Sequence, residues 1–207
     1  MKKDKANALR YARHFYFFYK NNKNYFWTKD KATKILSIAI PILIMSLLTV
    51  INLGNREMWF DEAHNVAIGE NVVKYGIPRV WDGKNLIGLG QESFINFVEV
   101  YLNWFPYYLA AWGQLFSRSL FSIRIWFVVF GLASALCLYF MTYENFKNRN
   151  LAVLSLWLYC LSVPVIIYIK VAYYYAHSLL FINLSYLCFL KAMHTGKEKY
   201  FGFFAIS

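Results

Sequence analysis

Two adjacent carboxylates, Asp61 and Glu62, are the residues of this chain whose types and position most directly suggest chemistry. They follow an uncharged segment, residues 35–54, which at about 1.5 Å per residue is long enough to cross a hydrocarbon core of roughly 30 Å. The acids are therefore expected just outside a membrane, where Trp59 and Phe60 would hold them at the depth of the lipid headgroups. Carboxylates at that depth suggest chemistry on a substrate carried by a lipid. The alternative is a solvated acidic loop with no chemical role.

The composition is that of a membrane protein. Hydrophobic residues make up 59% of the chain and charged residues only 16%, and the charges lie between apolar runs. Ten of the 22 lysine and arginine residues precede Ile35, so much of the net charge of +11 lies ahead of the first apolar run. This distribution predicts a basic arm over residues 1–34 that is cytoplasmic or lies on anionic lipid headgroups. No nucleic-acid-binding pattern accompanies the basic residues, so we expect membrane lipids and not nucleic acid as partners.

Later apolar runs extend the prediction to an all-α membrane protein, a multi-pass transmembrane helix bundle in the cell membrane. The runs cover residues 122–143, 151–169 and 173–190, and a further one starts near Tyr200. With residues 35–54 as the first span, residues 122–207 would hold spans two to four and the start of a fifth.

The basic loops of the chain decide the topology. A further segment, residues 101–116, is short and interrupted by polar residues and Pro106. If it stays out of the membrane, the loops at residues 144–150 and 191–199 fall on the same side as the basic amino terminus, as the positive-inside rule requires. Residues 55–121 are therefore predicted to be one long external loop of juxtamembrane helices, with the amino terminus in the cytoplasm.

Within that loop, hydrophobic spacing predicts a helix over residues 59–75. Its apolar side would face the bundle or the lipid, and Asp61 and Asn65 would point elsewhere. Gly76 and Pro78 should end this helix, and residues 81–85 read as a turn. Pro106 is expected in the first turn of another helix. The apolar stripe of the first helix consists of Ala63, Val66, Ala67 and Val73, and the interfacial anchors around the second are Trp104, Phe105, Tyr107, Tyr108 and Trp112.

In order along the chain, these features resemble a known family. A first span is followed by Trp-x-Asp-Glu-Ala, a Gly-x-Pro turn and a Pro-Tyr-Tyr-Leu helix. Phe-Ser-x-Ser-Leu-Phe-Ser-Ile-Arg then enters the next span, and a later span has a tyrosine-rich start. This pattern, over about residues 35–195, is similar to the amino-terminal part of GT-C superfamily glycosyltransferases that use polyprenyl-phosphate sugars. Protein O-mannosyltransferases and lipid A aminoarabinose transferases belong to that group.

The resemblance implies sugar transfer from a polyprenyl-phosphate donor to a lipid, glycan or protein on the outer face of the membrane. In the family the acidic pair of the first external loop is catalytic, and it maps onto Asp61 and Glu62. The chemistry agrees, because the acceptor hydroxyl needs a base and a carboxylate can take its proton. We assign Asp61 as that base, and Glu62 to orienting the acceptor or to holding the neighbours of Asp61. The departing phosphate needs a cation, for which Arg124, the family's arginine, and Lys170 are candidates, with snorkelling to the interface as the alternative.

Two departures from the family pattern accompany the resemblance. Lys170 stands where the family often has an arginine, and no acid follows it before His177, which is a candidate donor to the lipid phosphate or a polar contact between helices. Family members are usually at least twice as long, so the chain is expected to be a truncated product or to receive the remaining spans from elsewhere. The open alternative is a non-catalytic membrane partner, or a degenerate truncated copy that binds lipid or a related transferase. No metal site or cofactor is predicted beyond the lipid-linked sugar, although Asp61 and His64 leave a divalent metal open.

Overall fold

The computed structural model of the chain describes residues 31–87, 94–100 and 102–206. Of the predicted basic arm, residues 1–30 lie outside the described residues. The chain divides into two units, Met1–Leu36 and Ser37–Ser207, and the contacts given below all lie within the second unit.

The described part of the chain is mostly helical, as the sequence predicts. A two-stranded antiparallel ribbon, β1 (Phe94–Ile95) and β2 (Val98–Glu99), accompanies the helices. The helices in chain order are α1 (Lys31–Val50), α2 (Phe60–Tyr75), α3 (Phe105–Phe116), α4 (Leu120–Phe146), α5 (Arg149–Cys160), α6 (Val163–Ile169), α7 (Tyr175–Thr195) and α8 (Glu198–Ile206).

Three of the described helices, α1, α4 and α7, are long and apolar enough to cross a membrane. Helices α5 and α6 pass the same test only as a pair, bent by 62° at a short break. The predicted third span, residues 151–169, is therefore not one straight helix. Pro164 lies in the first turn of α6 and explains the break, because proline has no N–H to donate to the preceding turn and its ring clashes there.

Helix α4 is the central helix of the bundle and packs against α3, α5 and α7. Small residues allow the close approaches. A side chain at Gly131 would lie 2.8 Å from Ile169 of α6, so only glycine permits this contact. Phe127 and Leu156 are fully buried in the same core, with Ala135 and Ala176 beside them. This packing holds the short helix α6 against α4 in spite of the bend.

Polar contacts define the two ends of the bundle. At one end, Arg149 donates to Ser37 Oγ at 2.6 Å, and His194 Nδ1 lies 3.1 Å from Glu144 Oε1. The carboxyl ends of α1 and α6 and the amino ends of α4 and α7 meet at the other end. The described residues of the connection from α1 to α4, residues 51–87, 94–100 and 102–119, lie at that second end and are called the cap below.

Turns in the cap follow the sequence predictions. Gly76 ends α2 in a left-handed conformation with φ of 77°, and Pro106 lies in the first turn of α3. The predicted turn at residues 81–85 is built on Asp82, whose Oδ1 accepts from the backbone N–H groups of Lys84 at 2.7 Å and Asn85 at 2.6 Å.

The face that α2 buries differs from the prediction. Val73, expected in the apolar stripe, is 44% exposed, whereas Glu62 and Asn65 are fully buried. Tyr107, expected to be an interfacial anchor, is also fully buried. The physical reason is that α2 is covered by α3, by the segment leading to the ribbon and by the turn before α7, which supply hydrogen-bond partners for polar side chains. A hydrophobic pattern does not detect a buried polar face of this kind.

Candidate functional site

A buried ion pair lies at the centre of the cap. The carboxylate of Glu62, in the first turn of α2, accepts from Arg124 of α4 in bidentate geometry: Nε to Oε1 and Nη2 to Oε2, both at 2.7 Å. The two residues are only 1% and 3% exposed. Bidentate arginine–carboxylate pairs of this length are among the stronger hydrogen-bonded contacts in proteins. The pair therefore fixes the start of α2 against the start of α4.

All five N–H groups of Arg124 are used within the protein. Besides the two bonds to Glu62, Nη1 donates to the carbonyl oxygens of Leu53 at 2.7 Å and Arg56 at 3.0 Å, and Nη2 donates to that of Glu57 at 3.2 Å. These carbonyls belong to the segment that leaves α1. Arg124 thus holds three segments together, and the structure leaves it no free donor for a phosphate.

The turn between α6 and α7 is joined to the same carboxylate. The backbone N–H of Ala172 donates to Glu62 Oε1 at 2.9 Å, and Asn65 Nδ2 donates to the carbonyl oxygen of Ala172 at 3.1 Å. The backbone N–H and carbonyl groups of Ala172 are therefore bonded to two side chains of α2 that lie one turn apart on that helix. Lys170, two residues earlier, is positioned through this contact.

A pocket of about 500 Å³ opens beside the ion pair. It is bounded by the end of α1, the start of α2, α4 and the turn after α6. Three cations and two carboxylates are among the residues that line it: Arg56, Arg124, Lys170, Glu57 and Glu62. Because Glu62 is paired with Arg124, the charges left to face the pocket are those of Arg56, Lys170 and Glu57, which together are positive.

Lys170 is anchored at this pocket by two hydrogen bonds. Its Nζ donates to the carbonyl oxygens of Leu48 at 3.1 Å and Ile51 at 2.8 Å, which leaves one of its three N–H groups for a ligand. Burial lowers the pKa of Lys170, and the nearby charges of Arg56 and Arg124 lower it further. An anion bound in the pocket would raise the pKa of Lys170 again, because its negative charge favours the protonated amine.

Asp61, the predicted base, lies next to the pocket but does not line it. Its neighbours Trp59 and Glu62 are lining residues. Asp61 is partly buried, and its carboxylate has no hydrogen bond or ion pair with any residue in the described part of the chain. The two adjacent acids therefore have different environments, since Glu62 is fully bonded and Asp61 is available.

The structure does not bring His177 into this site. His177 lies on α7 and lines a second pocket of about 590 Å³, which shares no lining residue with the first. Its ring packs against Phe105, with centroids 4.8 Å apart. Of the five residues predicted from the sequence, Glu62, Arg124 and Lys170 thus meet at one pocket, Asp61 lies beside it, and His177 lies elsewhere.

Two residues of the site were missed from the sequence. Arg56 and Glu57 line the pocket, although their only sequence signal is a position just after the first span. His64 is buried and lies 3.6 Å from Glu99 Oε2, which joins α2 to strand β2. Within the described ranges, no group of three histidine, cysteine or acidic side chains is arranged to hold a metal ion. A metal at Asp61 and His64 would therefore lack a complete set of three ligands among these residues.

Comparison of the chain with known protein families, with curated proteins and with solved structures gave no match.

Proposed function

We propose that this chain is the amino-terminal module of a GT-C-type membrane glycosyltransferase, which moves a sugar from a polyprenyl-phosphate donor to an acceptor at the outer face of the cell membrane. The main support is the pocket at the cap end of the bundle, which Arg56 and Lys170 line, and beside which the carboxylate of Asp61 has no partner among the described residues. These cations lie at the ends of apolar helices, where they could bind the phosphate group of a lipid. In this proposal the amino terminus is cytoplasmic, and a lipid, a glycan or a protein supplies the acceptor hydroxyl.

The proposed reaction breaks the bond between the anomeric carbon of the sugar and the phosphate oxygen. The electron pair leaves with that oxygen, and the acceptor hydroxyl oxygen forms the new bond to the anomeric carbon. Asp61 takes the proton of the hydroxyl as general base. Lys170 and Arg56 stabilise the negative charge that develops on the departing polyprenyl phosphate.

Glu62 and Arg124 are given a different role from the one suggested by the resemblance. Because their charges compensate each other and all donors of Arg124 are used, we assign them as positioning residues. They hold the end of α1, the start of α2 and the Lys170 turn in the geometry that forms the pocket. Substitution at Glu62 should therefore affect both stability and donor binding.

A second candidate is a membrane partner that binds a lipid phosphate without turning it over. One observation favours it, namely that Asp61 does not line the pocket. Glu57 does line it, and its carboxylate is a second possible base. The two functions differ in whether a carboxylate at this end of the bundle is needed for chemistry.

Release of polyprenyl phosphate tests the proposal without knowledge of the sugar. Membranes that contain the protein would be incubated with polyprenyl-phosphate hexoses and pentoses, and free polyprenyl phosphate measured by mass spectrometry. Asp61→Asn should lower release by roughly 10²-fold or more, the usual range for a general base. Glu70→Gln, on the exposed side of the same helix, is the matched control and should leave release unchanged.

Three outcomes count against the proposal. Full release by Asp61→Asn at normal abundance would remove Asp61 from the mechanism. A loss seen with Glu57→Gln instead would transfer the role of base to the pocket lining. Binding of the donor with no release by the unaltered protein would favour the non-catalytic partner.

A further inference from the structure

The second pocket, between α3, α7 and α8, carries no charged side chain among its lining residues. Its walls are mostly aromatic and aliphatic, and four of the lining residues are neutral and polar. The apolar wall consists of Phe105, Phe181, Ile182, Tyr186 and Phe204, and the polar group consists of Asn103, His177, Ser178 and Ser185. A site of about 590 Å³ with this lining suits an apolar body that carries uncharged hydrogen-bonding groups.

None of the four polar side chains makes a side-chain hydrogen bond within the described part of the chain. Other hydroxyls in the apolar helices behave differently, since Ser46 and Thr49 donate to carbonyl oxygens of their own helix at 2.8 Å. Ser178 and Ser185 make no such bond, so their hydroxyls are free to bind a ligand.

His177 is the strongest indication of a ligand. The side chain is 3% exposed, and both ring nitrogens are buried without a partner. A buried polar group without a hydrogen bond is costly, and more so in a membrane-spanning helix, where water is scarce. A neutral imidazole has one donor and one acceptor, and a hydroxyl group can match either of them.

The pocket also has a direction along α7. His177 lies within the first turn of the helix, near the cap, and Tyr186 lies nine residues further along, about 14 Å at the helical rise. This distance is about half of the hydrocarbon thickness of a bilayer. A lipid held here would therefore have its polar end near His177 and its chain within one leaflet.

From these observations we propose that the pocket binds an uncharged lipid alcohol, with its hydroxyl bonded to His177 and Ser178 and its hydrocarbon chain along Phe181 and Tyr186. Anionic lipids are disfavoured because no cation is among the described residues that line this pocket, in contrast to the pocket at Lys170. The site is separate from the proposed transfer site. It does not depend on whether that site is catalytic.

Photocrosslinking can test this with three probes of equal chain length. A diazirine-bearing hexadecanol would be compared with the corresponding hexadecane and palmitate, on the full chain in nanodiscs, and labelled peptides identified by mass spectrometry. The alcohol should label α7 and α8 saturably, and excess oleyl alcohol should compete. Labelling by the alcohol should exceed that by the hydrocarbon roughly three- to ten-fold, the range expected from the loss of one hydrogen bond.

Two variants separate recognition of the hydroxyl from simple burial of a chain. His177→Phe keeps an aromatic ring against Phe105 and should reduce labelling by the alcohol to that of the hydrocarbon. His194→Phe, at the far end of the same helix, is the control and should change nothing. If His177→Phe is not produced in folded form, Ser185→Leu replaces it as the test variant, because the larger side chain fills the pocket and should reduce labelling. The comparison of the three probes on the unaltered protein tests the proposal without any variant.

The proposal is overturned if the hydrocarbon labels the pocket as strongly as the alcohol, because the pocket is then a lipid-filled crevice without recognition. Stronger labelling by palmitate would show an anion site instead. No labelling of α7 by any probe, or crosslinks between two copies of the chain at this surface, would show that a lipid does not occupy it.

Discussion

Replacing Glu62 by glutamine should destabilise the protein more than any other single change of charge in the cap. The substitution keeps the size of the side chain but replaces one acceptor oxygen with an NH₂ group, which cannot accept from Arg124 or Ala172. The guanidinium of Arg124 would remain buried at 3% exposure without its counter-charge. An uncompensated buried charge is the main cost of breaking such a pair.

The structure gives the size of the effect. Removal of one partner of a buried pair costs about 3–5 kcal/mol. Three backbone carbonyls still accept from Arg124, at 2.7, 3.0 and 3.2 Å, so we take the lower end, about 3 kcal/mol. For a chain of this length that corresponds to a fall in the melting temperature of about 6–12 °C.

The assay is thermal unfolding of purified protein in detergent, followed by intrinsic tryptophan fluorescence. Glu70→Gln is the control, because Glu70 pairs with Lys74 and Arg118 at 3.4 and 3.7 Å on a surface where such pairs contribute about 0–1 kcal/mol. The double variant Glu62→Gln with Arg124→Met should lose less than the sum of the single changes. Equal and small shifts for Glu62→Gln and Glu70→Gln would refute the reasoning.

Two further predictions concern packing and topology. Gly131→Ala should lower the free energy of unfolding by about 1–3 kcal/mol, because the new methyl group would lie 2.8 Å from the side chain of Ile169. Gly202→Ala is the control, since its methyl group meets no atom within 4 Å. Equal unfolding temperatures for the two variants would contradict the contact between α4 and α6. Cysteines at positions 83 and 118 should react with a membrane-impermeant maleimide added outside cells, and one at position 148 should not; the reverse pattern would invert the proposed orientation.

The sequence predicts the helices well because their signals are local. Uncharged runs of about 20 residues indicate α1, α4 and α7, and Gly76 with Pro78 marks the end of α2. The bend between α5 and α6 also has a local signal, since Pro164 lies inside the apolar run at residues 151–169. The length and hydropathy of this run predict one span, and the proline predicts a break within it.

The site is less predictable because it depends on contacts between distant segments. Glu62 and Arg124 are 62 positions apart, and nothing near either residue indicates that they pair. Adjacent acids look alike in a sequence, yet Glu62 is fully bonded in the structure, whereas Asp61 has no partner among the described residues. The sequence offers His177 as a donor to the lipid phosphate or as a polar contact between helices, and the packing of α3 and α8 beside α7 places it in a different pocket from Lys170.

Equilibrium binding of a prenyl phosphate tests the central claim most directly, namely that the pocket at Lys170 receives a lipid phosphate. Native mass spectrometry of the protein in detergent would compare a C15 prenyl monophosphate with the C15 prenol. The phosphate is expected to bind more tightly than the prenol. Lys170→Gln should weaken its binding by roughly 10- to 100-fold, the value of a hydrogen bond to a charged group, while Lys84→Gln in the exposed turn of the cap has no effect. Equal binding of the phosphate and the prenol, or unchanged binding of the phosphate by Lys170→Gln, would contradict a lipid-phosphate site at Lys170.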